Sequence, residues 1–192
     1  MINREVFFKS IKSNLIHTLT QSQVDGFNAL FDVWDQDYSD KPLSYLAYCL
    51  ATSYHETAFA MKPVEEWGHG SGHSYGNPAG PYKKRYYGRG FVQLTWYDNY
   101  RKANTILNKQ FNIDEDLVKS PENALKLNVA SLILFQGMID GWFTGKKLSD
   151  YFSDKTSDAT NARKIINGLD KAHTIATYFT AFNNSLKLQD NS

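Results

Sequence analysis

Pro42-Leu43-Ser44-Tyr45-Leu46-Ala47-Tyr48-Cys49-Leu50-Ala51-Thr52-Ser53-Tyr54-His55-Glu56-Thr57 has no glycine or proline after its first residue. Leu43, Leu46, Ala47, Leu50 and Tyr54 recur in it at helical spacing, and proline at the start costs a helix little. Tyr45, Cys49 and Thr52 occupy the other side, so the helix is apolar almost all round and reads as buried. Glu56 is its only acid and falls at its C-terminal end. Burial and the negative end of the helix dipole both act against a charged carboxylate there, which suits a group that must deliver a proton. The competing reading is a helix-end glutamate in water or paired with a lysine.

Working outward, the pattern stays helical. Residues 5–19 carry a stripe of Val6, Phe7, Ile11, Leu15 and Leu19. Thr20 and Gln23 form a capping-box signature for a second helix with Val24, Phe27, Leu30, Phe31 and Trp34 inward. Asp35 to Asp40 reads as a loop. Beyond the central stretch, helices are expected over 96–110, from Ser120-Pro121-Glu122 through Met138 with Gly137 and Gly141 loosening its end, over 145–152, from Asp158 to Ile166, and over 170–188. Arg89 to Thr95 is the best candidate for a short strand. The fold class is mainly α, with no repeat, low-complexity segment or linker, and one catalytic domain over residues 1–192 without a separate cell-wall-binding domain.

Residues 58–92 interrupt the helices with seven glycines and three prolines. A segment of that length inside a compact chain is expected to have a task of its own. Trp67, Tyr75, Tyr82, Tyr86 and Tyr87 alternate there with His69, His73, Lys83, Lys84 and Arg85, the composition of a binding-cleft wall. Glu65 and Glu66 follow Glu56 by nine and ten residues, past Pro63, so the chain can fold back to set one of them opposite Glu56. Two carboxylates facing across a cleft perform glycoside hydrolysis, one protonating the leaving oxygen while the other activates water. The bland alternative places both on an ordinary loop surface. In an extended segment Gln93 and Thr95 would point to one side and offer an amide and a hydroxyl to one target.

Other chemistries find less. His55-Glu56 begins a zinc-peptidase motif, but the position for its second histidine is Phe59; His69 and His73 could still join His55 around zinc. Walker and dinucleotide glycine patterns and a serine nucleophile elbow are absent. The formal charge of +1 argues against a broad nucleic-acid footprint. Cys49 is the single cysteine, so no disulfide forms within the chain. Neither a signal peptide nor an apolar run of membrane-spanning length is evident, so synthesis in the cytoplasm and no stable membrane insertion are expected. A monomer is the expected state.

His55-Glu56-Thr57, then Glu65, then Tyr86-Tyr87-Gly88-Arg89-Gly90-Phe91-Val92-Gln93-Leu94-Thr95-Trp96, then Ile165-Ile166-Asn167-Gly168, together resemble glycoside hydrolase family 19, which holds plant-type chitinases and many phage endolysins. The resemblance spans roughly residues 40–185. It implies a lysozyme-like, two-lobed helical fold around a central glycan cleft. It further implies that Glu56 is the general acid, that Glu65 is the second carboxylate with Glu66 as the alternative, and that Thr95 helps hold the attacking water. His55, Glu66, Trp67, Tyr87, Arg89, Gln93, Asn99 and Asn167 are the expected substrate contacts, and no metal or organic cofactor is expected. The chain departs from the plant enzymes at Ala58-Phe59, where they have two glycines, at Thr95 and Asp98, and in its single cysteine. These departures favour the endolysin branch: a peptidoglycan hydrolase that reaches the wall after release from the cytoplasm, with a chitinase acting on chitin oligomers as the alternative. A zinc-dependent cell-wall peptidase and a non-catalytic glycan-binding protein are the remaining readings.

Overall fold

The structure is a computed structural model and describes residues 1–189. Six α-helices carry it: α1 (Arg4–Asn14), α2 (Gln21–Asp37), α3 (Leu43–Glu56), α4 (Tyr97–Phe111), α5 (Leu127–Asp140) and α6 (Ala172–Ser185). Two two-stranded antiparallel ribbons accompany them, β1 (Val64–Glu65) with β2 (Arg89–Gly90), and β3 (Phe152–Ser153) with β4 (Thr156–Ser157). No helix among the described residues is long and apolar enough to cross a membrane.

Helix α3 is the hub. Nine consecutive residues from Leu46 to Tyr54 are buried, as its all-round apolar pattern predicts. It packs on α6 and α5, and Tyr48 meets Phe152 and Phe179 at ring separations of 5.2 and 6.0 Å. Helices α1, α2 and α6 meet over Phe7, Phe27, Phe31 and Phe182. Nearly all the buried apolar side chains among the described residues form one continuous cluster.

Several boundaries differ from the sequence expectation, each for a local reason. Helix α1 stops at Asn14 because Leu15 leaves helical geometry, and the N–H groups of Leu15 and Ile16 both donate to the Ile11 carbonyl. The Thr20–Gln23 capping box then starts α2 as expected. That helix continues three residues beyond Trp34, into the expected loop, because the Asp35 carboxylate accepts from the Ile2 N–H and ties the helix to the chain start. The expected helix from Ser120 is two pieces, a 3₁₀ turn (Pro121–Leu125) and α5, divided by the extended Lys126. Gly137 does not loosen α5: Phe143 and Trp142 lie against its bare Cα, and Gly141 terminates the helix in the left-handed conformation. The segments expected to be helical over 145–152 and 158–166 are 3₁₀ turns, Leu148–Asp150 and Asn161–Ile165, with the β3–β4 hairpin between them.

The turn that follows Glu56 is built against its own preferences. Ala58, Phe59 and Met61 have φ of 48°, 71° and 51°, a region that costs a residue with a Cβ about 1–2 kcal/mol each. Glycines would adopt it freely, whereas here three residues with side chains hold it. The turn is held from several sides. Thr57 Oγ1 donates to the Ser53 carbonyl and accepts from the Met61 N–H, and Gln23 Nε2 donates to the Phe59 carbonyl. Gly26 of α2 lies so close to Met61 that a Cβ there would overlap the Met61 carbonyl oxygen. Gly26→Ala is therefore expected to destabilise the protein by about 3 kcal/mol, because backbone and not a flexible side chain must yield. The check is the denaturant midpoint, with the slope unchanged if the loss lies in the native packing.

Candidate active site

Two charged side chains among the described residues are buried, Arg163 at 4% exposure and Arg89 at 5%. A guanidinium taken out of water needs an anionic or hydrogen-bonding partner close by. Each of these two has a carboxylate partner, and the two carboxylates are Glu56 and Glu65.

Glu56 ends α3. Arg163 Nη1 donates to its Oε1 at 2.6 Å, while Arg163 Nε donates to the Asp170 carbonyl at 3.1 Å. The guanidinium is thus fixed at two points and holds Glu56 in one orientation. This corrects the expectation of a carboxyl facing only apolar packing and the helix end, and equally the alternative of a lysine partner or plain solvent. Arg163 carried no signal in the sequence, where a cation between Ala162 and Ile165 reads as a surface residue. Its main chain also places Asn167, whose N–H donates to the Arg163 carbonyl at 3.0 Å. Asn167 is exposed, and its Oδ1 accepts from the Gly168 N–H.

Glu65 lies on β1, opposite Arg89 on β2. Its Oε1 accepts from Tyr87 Oη at 2.9 Å and Arg89 Nε at 3.3 Å, and its Oε2 is 3.9 Å from His69 Nε2. Arg89 also sits 3.6 Å over the Tyr87 ring and donates to Tyr100 Oη and the Tyr87 carbonyl. The His69 ring stacks on Tyr87 at 4.7 Å. Burial pushes the Tyr87 phenol up and its hydrogen bond to Glu65 pushes it further, so it remains a donor. Three side chains from the turn and the strand therefore aim one partly exposed carboxylate.

Glu66, the alternative second acid, is engaged within the protein: Oε1 accepts from Tyr75 Oη and Oε2 from the Gly88 N–H. Burial, then the bond to Glu66, raises Tyr75 from 10.0 to about 12. The neutral phenol is the form the fold favours, so its contribution is complete below pH 10 and is lost as pH rises through about 12. Tyr75→Phe should be less stable than the parent at neutral pH, with the gap closing towards pH 12. Thermal melts of both proteins across that range check the sign.

Trp67 is 99% exposed and stands with Glu65, Glu66, Gly68 and His69 around a hollow of about 410 Å³. Such an exposed flat ring is a ready platform for a sugar face. Gln93 and Thr95 do not share one side of a strand. The chain turns after Gly90, Arg89 and Leu94 bridge, and Gln93 takes a left-handed φ of 54°. Gln93 Nε2 donates to the Val64 carbonyl and so secures β1. Thr95, Asn99 and His55 are half-buried. His55, His69 and His73 do not converge: no group of three or more His, Cys, Asp or Glu side chains able to hold a metal occurs among the described residues.

No family model and no curated protein sequence matches the chain. Solved structures do. Chitinase C from Streptomyces griseus HUT6037 aligns over 94% of this chain and 90% of its own, with a TM-score of 0.56 and 21% identity. A mutant of chitinase C aligns over 96% and 91%, with a TM-score of 0.52 and 18% identity. The mainly helical architecture built around α3 is the fold of these chitinases.

Proposed function

We propose that the protein is a glycoside hydrolase, within one catalytic domain, that cleaves the β-1,4-linked glycan of bacterial peptidoglycan. The observation that supports the reading is that each of the two buried guanidiniums pairs with a carboxylate, Arg163 with Glu56 and Arg89 with Glu65, the two groups assigned here as acid and base. Glu56 carries a proton on Oε2, the oxygen that Arg163 does not hold, and gives it to the glycosidic oxygen as the bond to the anomeric carbon breaks. Arg163 is then the counter-charge to the carboxylate that remains. Glu65 takes a proton from a water held by Thr95, and that water's oxygen bonds to the anomeric carbon from the opposite face. The product is inverted, which calls for carboxyl groups about 6.5–9.5 Å apart. Trp67, Tyr87, His55, Asn99 and Asn167 contact the sugars. Arg89, Gln93 and Glu66 hold the β1–β2 wall in shape.

The chemistry needs no metal or organic cofactor. The enzyme acts as an endolysin, made in the cytoplasm and reaching the wall after release. A second reading, a chitinase acting on chitin oligomers, is favoured by the names of the structures that share the fold. Parallel digestion of purified peptidoglycan and of chitin oligomers, followed by release of reducing ends, separates the two. Faster release from peptidoglycan supports the proposal, and release from chitin alone transfers the assignment to the second reading.

A further inference from the structure

The segment 66–77 doubles back on itself. The main chain at Gly70 lies against that at Gly76, where a Cβ on Gly70 would come within 2.6 Å of the Gly76 Cα. The loop closes this way only because neither residue has a side chain. It curls around a cavity of about 450 Å³ lined by Ser71, His73, Ser74 and Asn77, with Arg85 reaching in from beyond the loop. No carboxylate lines the cavity. The acid at the base of the loop, Glu66, is turned away to Tyr75 Oη and the Gly88 N–H. The wall is braced: the His73 ring stacks on Tyr75 at 4.9 Å and 6°, and Tyr75 meets Trp96 at 5.5 Å.

Arg85 is delivered by a tight hairpin in which the Ala79 N–H donates to the Lys84 carbonyl. Its guanidinium takes part in none of the ion pairs among the described residues, and neither do Lys83 and Lys84. An unpaired guanidinium beside hydroxyl and amide groups, in a concave site free of acids, is suited to a carboxylate. The cavity also adjoins the catalytic wall, since Gly70 directly follows His69, which faces Glu65.

We propose that this cavity binds a carboxylate of the stem peptide carried on the peptidoglycan glycan, and so selects peptide-bearing strands over chitin. The inference rests on the peptidoglycan reading above. Chitin presents neutral acetamido groups and leaves Arg85 without an ionic partner. A stem peptide presents anions on a chain that extends about 3.3–3.6 Å per residue, so a few residues carry it along the loop from His69.

The test compares the parent with Arg85→Ala and Arg85→Lys on intact peptidoglycan and on the same strands stripped of peptide. Calorimetric titration of a free, sugar-less stem peptide accompanies it. Arg85→Ala should raise KM about ten-fold on peptide-bearing strands, the scale of one charged hydrogen bond, with kcat and the stripped substrate unaffected. Arg85→Lys should fall between, and the peptide should bind the parent but not Arg85→Ala. An equal loss on both substrates, or no loss with no peptide binding, overturns the proposal. If neither form of peptidoglycan is cut yet the peptide binds through Arg85, the site stands and the substrate reading fails. If peptidoglycan is uncut and the peptide unbound, both fail.

Discussion

Glu56→Gln is expected to lower turnover about 10²–10⁴-fold while the protein still folds. Glutamine keeps the shape of the side chain, and its amide oxygen can accept from Arg163 as the carboxylate does at 2.6 Å. It has no proton to give to a leaving alkoxide. Some stability is lost as well, because Arg163 at 4% exposure loses its counter-charge. Circular dichroism and steady-state rates on the same preparation separate the two effects. A variant that folds and retains near-parental turnover removes Glu56 from the chemistry.

Arg163→Ala should be the more damaging change to the fold. It deletes a buried cation that ties the end of α3 to the Asp170 main chain, and it leaves Glu56 unpartnered. Breaking a buried pair costs about 3–5 kcal/mol, and the lower end applies because Glu56 keeps 18% of its side chain exposed. For a chain of this size that corresponds to a fall in Tm of roughly 6–12 °C. Turnover should fall too, since nothing then fixes the orientation of the acid. Arg163→Lys retains the charge but not the two-point grip, so it should recover part of the stability and little of the rate. Recovery of both by lysine would mean that the charge alone matters.

The helices were legible because their apolar residues recur at helical spacing, and α3 most of all, since its burial on every side leaves little room for another reading. The capping box of α2 was legible for the same local reason. The 3₁₀ turns over 121–125, 148–150 and 161–165 were not. Their residues have helical patterns, but the first turn ends at the extended Lys126, with the Ala124 carbonyl lying against Gly90 from a distant part of the chain. The β3–β4 hairpin lay hidden in a stretch of polar residues that gave no alternation.

At the site, Glu56 and the pair Glu65 and Glu66 stood out by residue type and spacing, while the choice of Glu65 and the role of Tyr87 came from the family resemblance; Glu65 and Tyr87 do meet. Arg163 was invisible because its partner lies 107 residues away. The left-handed turn at Ala58-Phe59 was equally hidden, because neither residue type announces such a backbone. The support that holds it, from Gln23 and Gly26, comes from another helix.

Mass analysis of the fragments released from purified peptidoglycan by the parent and by Glu56→Gln tests Glu56-dependent glycan cleavage most directly. The parent alone should release new reducing sugar ends, with the inverted anomer formed first and the terminal sugar naming the bond. Free amino groups without new reducing ends would contradict it and put a peptidase or amidase in its place.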